Sequence, residues 1–289
     1  MRIIQIDGGM GRVICATPAI RSFAGNHPNS KIVIVTSWPE VFWHNPHIRK
    51  CYKVDHHYLW DDVIKHGDFS HPEPYHSRLY YTQQHHLIDA FHFLINGDAT
   101  LSDPQPQLFL TCDEVAWATQ LLAHVKKEMR RDVIAAYQPY GAGASCTAAD
   151  KSHRSLSKIA TEKIANDSTV GFINCSHLPI DCANVWNQQF TVRELFAIVS
   201  VCDFVVTIDS SLAHIGAAFS KKGISLLGST FQKNVGYPFY TTYQRAEFPR
   251  SYTPNRFHGF VDENMDAMDF DTPMLNEIIR VINEGSYDQ

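Results

Sequence analysis

The chain has 289 residues, 44% of them hydrophobic, and a formal net charge of −5. That length fits two compact domains of ordinary size, and that charge argues against a generic binder of polyanions. No apolar run reaches the roughly 18–20 residues that span a bilayer, and the short apolar stretch after Arg2 breaks at Asp7 and Gly8 instead of forming a signal peptide, so the expected location is the cytoplasm.

Ile3 to Ile6 is a short apolar run ending at Asp7-Gly8-Gly9-Met10-Gly11, which predicts a buried strand and a glycine turn. A helix is expected over about 12–23, kinked or restarted at Pro18. After the loop His27-Pro28-Asn29-Ser30 comes a second buried strand, Lys31 to Thr36, which completes a βαβ unit with parallel strands. Residues 56–82 are rich in His, Asp, Tyr and Pro without a clear period and read as an irregular insertion facing a cleft. Helices follow at His85 to Ile95 and Asp113 to Met129, separated by the proline-punctuated loop Ser102 to Pro106.

A second α/β pattern begins after Arg130-Arg131. Val133 to Tyr137 is a strand followed by Gly141-Ala142-Gly143, and a helix is expected from about Ser155 to Ala165 before the strand Thr169 to Asn174. Thr191-Val192-Arg193-Glu194 has the form of a capping box and opens a helix to about Val201. Phe204 to Ile208 is a strand running into Asp209-Ser210-Ser211, with a helix to Phe219 and a further strand, Ile224 to Leu227, ending at Gly228. Thr272-Pro273 sets an N-cap and an N1 proline for a last helix to about Asn283. The expected domains are thus residues 1–128 and 129–289, joined near 126–132.

Ligands of open α/β sheets sit beyond the carboxyl ends of the strands, where the glycine- and serine-rich turns of this chain fall. In Asp7-Gly8-Gly9-Met10-Gly11-Arg12, glycines let the backbone approach a ligand, and the helix start favours negative charge. The plainer reading, a tight turn and nothing more, stands beside it. Asp209-Ser210-Ser211-Leu212-Ala213-His214 offers backbone N–H groups and two hydroxyls suited to a diphosphate. There Asp209 either caps the helix or accepts from sugar hydroxyls, and the plainer role of His214 is that of a satisfied interior histidine. Lys151-Ser152-His153-Arg154 supplies cations for a leaving diphosphate, or else is a solvated loop.

Metal chemistry finds little support. The seven cysteines are scattered without a CxxC pair and read as reduced thiols. Twelve of the sixteen histidines fall in residues 1–125, but no HExxH spacing occurs. Asp269-Phe270-Asp271 has the DxD form, yet it sits directly before Thr272-Pro273 and reads as a helix start.

These pieces together resemble the heptosyltransferase-like glycosyltransferase family 9. The similar segments are Ala16-Thr17-Pro18-Ala19-Ile20-Arg21 after the glycine turn, His27 to Ile32 before the second strand, and Asn45-Pro46-His47-Ile48. Ala197 to Ala218 resembles the family's helix, strand, D-S/T-G-P-x-H and helix, followed by Leu226-Leu227-Gly228. The resemblance covers nearly the whole chain except 56–82 and roughly 229–265. It implies an α/β GT-B fold of two Rossmann-like parallel-sheet lobes facing a central cleft, the first lobe on the acceptor side and the second holding the nucleotide sugar. It further implies metal-independent, inverting transfer of a heptose-type sugar, typically from an ADP-sugar to a lipopolysaccharide core.

Under that resemblance the substrate contacts are Gly8, Gly9, Gly11, Lys151, Arg154, Asp209, Ser210, Ser211, Leu212, His214 and Gly228. The diphosphate would lie against the amides of 210–212 with Lys151 or Arg154. The expected partners are the nucleotide-sugar donor, with no other cofactor, and a saccharide or glycolipid acceptor, with peripheral membrane contact left open. Three positions differ from the family. Arg12 stands where the family has the Asp suggested as general base, Ser211-Leu212 replaces Gly-Pro, and Cys175-Ser176-His177 lacks the acid often used for the ribose. Asp7 is the substitute base, a histidine from 56–92 the other candidate, and Arg12 would grip an anionic acceptor. Two other readings stay open: transfer onto a modified DNA base, and a scaffold that binds the donor without catalysis. Charge counts against DNA, since residues 1–125 hold nine Lys plus Arg against twelve Asp plus Glu.

Overall fold

A computed structural model describes residues 1–98, 101–141, 154–228, 230–245 and 268–285. The chain divides into two compact units, Met1–Thr111 and Cys112–Gln289.

The first unit contains β1 (Arg2–Ile6), α1 (Met10–Cys15), α2 (Thr17–Asn26), β2 (Ile32–Thr36), β3 (Lys50–Lys53), α3 (Leu59–Asp62), β4 (Asp68–Ser70), α4 (Arg78–Tyr81) and α5 (Leu87–Asn96). Its four strands are all parallel in the order β3-β2-β1-β4. All five residues of β2, Ile-Val-Ile-Val-Thr, are buried, as expected of a strand covered on both faces. Ile3, Val33 and Val35 pack with Val63 on one face, where Tyr52, Val54 and Leu59 join them. The alternate residues Ile4, Ile6 and Ile34 are fully buried and point the other way, and α1 and α2 pack with α5. The expected restart at Pro18 occurs: α1 ends at Cys15, and Pro18 lies in the first turn of α2.

Residues 56–82 are not an insertion outside the sheet. They contain α3, β4 and α4, and β4 pairs with β1 through Arg2↔Asp68, Ile3↔Phe69 and Ile4↔Ser70. Gly67 permits this pairing, because a Cβ there would lie 2.7 Å from the Met1 carbonyl and 2.8 Å from Ile3. A three-residue strand of Asp, Phe and Ser carries no alternation long enough to read.

The second unit contains α6 (Cys112–Met129), β5 (Ile134–Gln138), α7 (Lys158–Asp167), β6 (Gly171–Asn174), β7 (Val185–Asn187), α8 (Val192–Val201), β8 (Phe204–Ile208), α9 (Ser211–Ala218), β9 (Gly223–Leu227), α10 (Gln232–Val235), β10 (Tyr240–Gln244) and α11 (Thr272–Glu284). Its six parallel strands run β10-β9-β8-β5-β6-β7. Counted within the unit this is the order 3-2-1-4-5-6, that of a dinucleotide-binding sheet, whose direction reverses between β5 and β8. The predicted capping box is present at Thr191 and Glu194. Asp271, not Thr272, caps α11, its carboxylate accepting from the Met274 amide at 2.9 Å.

The unit boundary falls before α6, not at residue 128, so this helix belongs to the second unit. Arg193 of α8 makes a two-pronged ion pair with Glu114 at 2.6 and 2.7 Å, Trp117 meets Phe190 edge-on, and Lys126 pairs with Asp203 at 3.0 Å.

Candidate functional site

In both sheets the polar clusters gather where strand order reverses. In the first unit that point lies between β1 and β4. Asp7 follows β1 and receives Gln5 Nε2 at 3.0 Å, while His71, the residue after β4, brings Nε2 to 2.9 Å from the same carboxylate oxygen. Both side chains are partly exposed, His71 at 42% and Asp7 at 38%. Gly8 adopts φ +100°, a left-handed backbone that favours glycine, and its carbonyl accepts from Trp38 Nε1 at 3.0 Å. Gly9 caps α1 from an exposed position and Gly11 is buried within the helix.

Arg12 lies inside this unit. It is 7% exposed and donates from Nη2 to Glu73 Oε2 at 2.9 Å and to the Pro72 carbonyl at 3.4 Å. Its guanidinium stands 5.0 Å above the Tyr75 ring and 5.9 Å from that of Phe91, so cation–π contact adds to the charge pairing. The other Glu73 oxygen accepts from the Tyr75 amide at 3.2 Å. Arg12 thus clamps residues 72–75, directly beyond His71.

In the second unit the reversal point is built from β5, β8 and the start of α9. Gln138 ends β5, and its Oε1 accepts from Ser210 Oγ at 2.8 Å and from the Leu212 amide at 3.2 Å. Gln138 therefore supplies the cap that Ser210, the N-cap residue, does not make with its own side chain. Thr207 Oγ lies 2.9 Å from Ser210 Oγ and extends the network. Asp209 does not cap the helix. Its carboxylate accepts from Thr230 Oγ at 2.7 Å and stands 3.6 Å from Arg154 Nη1. The loop bearing Arg154 is tied back to β5, with the Gly141 amide donating to Ser155 Oγ at 2.9 Å and the Leu156 amide to the Pro139 carbonyl at 3.0 Å. Gly228 is buried at the end of β9, its carbonyl receiving Gln244 Nε2 at 3.2 Å. Gly143 and Lys151 lie outside the described residues.

His214 is the interior histidine expected from its setting. It is buried, its Nδ1 stands 2.8 Å from the Tyr237 hydroxyl, and burial lowers its pKa to about 4 against the opposing pull of Asp209. Neutral imidazole is therefore its form at pH 7.

The structure brings Asp209, Ser210, Leu212 and Arg154 together and places Asp7, Gly8 and Arg12 together in the other unit. Gln138, Thr230 and Glu73 were not named from sequence, and His71 only as one of the histidines of 56–92. Gln138 could have been found from its place at a strand end before Pro139. Thr230, His71 and Glu73 sit in segments with no readable period.

Two parallel-sheet α/β units of this kind match the GT-B fold class of solved structures. The fold is similar to a glycosyltransferase family 9 structure from Veillonella parvula, with TM-score 0.66 and 11% identity over 98% of this chain and 97% of that one. It is similar to the Escherichia coli ADP-heptose lipopolysaccharide heptosyltransferase II, with TM-score 0.66 and 11% identity over 99% and 100%. It is also similar to E. coli heptosyltransferase WaaC with ADP, with TM-score 0.52 and 14% identity over 93% and 100%. Within this class the particular signature is in the second unit. Residues 173–254 match the sequence profile of glycosyltransferase family 9 (heptosyltransferase), a stretch that includes the Asp209–His214 turn. No curated protein sequence gives a significant match.

Proposed function

We propose that this protein is a glycosyltransferase that moves a heptose-type sugar from an ADP-linked donor to a saccharide acceptor with inversion. The carrying observation is that the family 9 segment falls on the strand reversal of the second sheet, at Asp209, Ser210 and the start of α9. An ADP-sugar diphosphate would lie over the first turn of α9, against Ser210 and Ser211, with Arg154 and Lys151 as counter-charges. Gln138 takes the Leu212 amide, so Leu212 would shape this turn rather than bind phosphate. Asp209, held by Thr230 and Arg154, would accept from sugar hydroxyls, with Gly228 as close-approach backbone at the neighbouring strand end.

The acceptor hydroxyl attacks the anomeric carbon, the bond to the diphosphate breaks, and ADP leaves with the electron pair. In place of a divalent ion, the helix start and the cations would offset the charge on the leaving group. The first unit would serve the acceptor, with Asp7, Gly8, Gly9 and Gly11 along its strand-end turn. Arg12 is spent on Glu73, so its role here is to hold the 72–75 segment rather than to grip an acceptor.

Thermal shift with a panel of nucleotide sugars in EDTA tests the donor class. ADP-heptose should raise the melting temperature by mass action, a site at 100 times its Kd contributing about 2.7 kcal/mol, and transfer should proceed with the chelator present. A shift by a differently linked sugar alone would reassign the donor. Activity lost in EDTA and restored by a divalent ion would reverse the metal assignment.

A further inference from the structure

We infer that His71, oriented by Asp7, is the general base that takes the acceptor proton. This rests on the transferase reading above and names the group that reading requires.

The argument starts from topology. β1 and β4 are adjacent and parallel, so the residues leaving their carboxyl ends emerge at the strand reversal, where open α/β sheets bind ligands. Asp7 leaves one end and His71 the other, with His71 Nε2 and Asp7 Oδ2 2.9 Å apart. Gln5 Nε2 donates to the same oxygen and fixes the carboxylate. With Nε2 beside the Asp7 carboxylate, Nδ1 is the ring nitrogen left to take a proton, and the carboxylate offsets the charge of the imidazolium that forms. Both side chains reach solvent, as a group that meets an acceptor hydroxyl must.

The segment bearing His71 is anchored. Arg12 binds the Pro72 carbonyl and Glu73, stacks over Tyr75, and is itself buried, while Pro72 and Pro74 restrict the backbone on either side of Glu73. Arg12 thus replaces an acid without leaving this strand end short of a base. It holds in place the strap that delivers the histidine. The charged groups around His71 are Asp7 from the turn after β1 and the Arg12–Glu73 pair beyond it.

In the step, the acceptor oxygen forms its bond to the anomeric carbon as the bond to the ADP oxygen breaks. The hydroxyl proton passes to His71 Nδ1, the imidazolium is stabilised by Asp7, and the proton then leaves to solvent. Asp7 is a positioning residue.

The test follows ADP release from ADP-heptose with a lipopolysaccharide-core oligosaccharide as acceptor, and ADP binding by calorimetry. His71→Ala should lower kcat by about 10²–10⁴ while leaving ADP affinity and melting temperature near wild type. Asp7→Asn should give a smaller loss, confined to kcat with the acceptor KM near wild type, since it removes only the charge that offsets the imidazolium. Wild-type turnover in both His71→Ala and His71→Gln would overturn the inference. So would a loss in Asp7→Asn as large as or larger than that in His71→Ala, which would make Asp7 itself the base. A wild-type protein that binds no ADP and releases none from the donor would overturn the transferase reading, and this inference with it.

Discussion

Arg12 shows how far a single residue can change meaning between sequence and structure. By the family resemblance its position is that of the suggested general base, and its chemistry suggests a grip on an anionic acceptor. Its surroundings turn it inward, at 7% exposure, onto Glu73 and two aromatic rings. A pair this enclosed is costly to break from one side, because the remaining charge keeps its burial and loses its partner. Glu73→Ala, which leaves Arg12 uncompensated, should therefore destabilise the protein by roughly 3 kcal/mol, read as a lowered denaturation midpoint with little change in slope. Arg12→Met, close in volume and apolar, should cost less. Equal and negligible losses in both variants would show that the clamp contributes nothing. The pairing was not legible in the sequence, because Glu73 lies 61 residues away in a segment with no period. Asp209 fared differently. Its strand-then-helix context marked it, but its ordinary expected role, an N-cap, was taken by Gln138.

At the scale of elements, legibility followed length and burial. The fully buried strands Ile32–Thr36, Phe204–Ile208 and Gly223–Leu227 are apolar runs bounded by turn residues, and each was read from sequence nearly in place. The edge strands Lys50–Lys53, Asp68–Ser70, Val185–Asn187 and Tyr240–Gln244 were not, because short, half-polar segments take their conformation from a neighbour's backbone. Helix α9 shows such tertiary setting directly. The Tyr237 hydroxyl meets His214, the Tyr240 hydroxyl donates to the Ala213 carbonyl at 2.8 Å, and a Cβ on Gly216 would lie 2.5 Å from that same hydroxyl. Burial of neutral His214 makes this junction acid-sensitive. Its folded-state pKa, about 4, lies below the usual 6.5, so between those values the unfolded chain binds a proton that the folded chain does not. Stability should therefore fall as pH drops through that window, by up to roughly 3 kcal/mol from this group. Melting temperature followed from pH 7 to pH 4 should fall less steeply in His214→Gln than in wild type. Parallel curves would show that His214 is protonated without cost.

At the scale of the whole molecule, the family resemblance reached the fold class and the strand-to-helix turn of the second unit, which the sequence profile and the solved structures support. It did not reach the 111/112 division, because a long amphipathic helix fits either neighbour until Glu114, Trp117 and Lys126 find their partners on and around α8. The central claim is that the second unit binds an ADP-sugar at Asp209 and the start of α9. Calorimetric titration of ADP-heptose into the wild-type protein and into Asp209→Ala measures it most directly. Hydrogen bonds to a charged group contribute about 1.5–3 kcal/mol, so the account predicts saturable binding to wild type and affinity weakened by about 10–150-fold in the variant, with the fold intact. Equal affinity in the two proteins, or no binding to wild type, would contradict it.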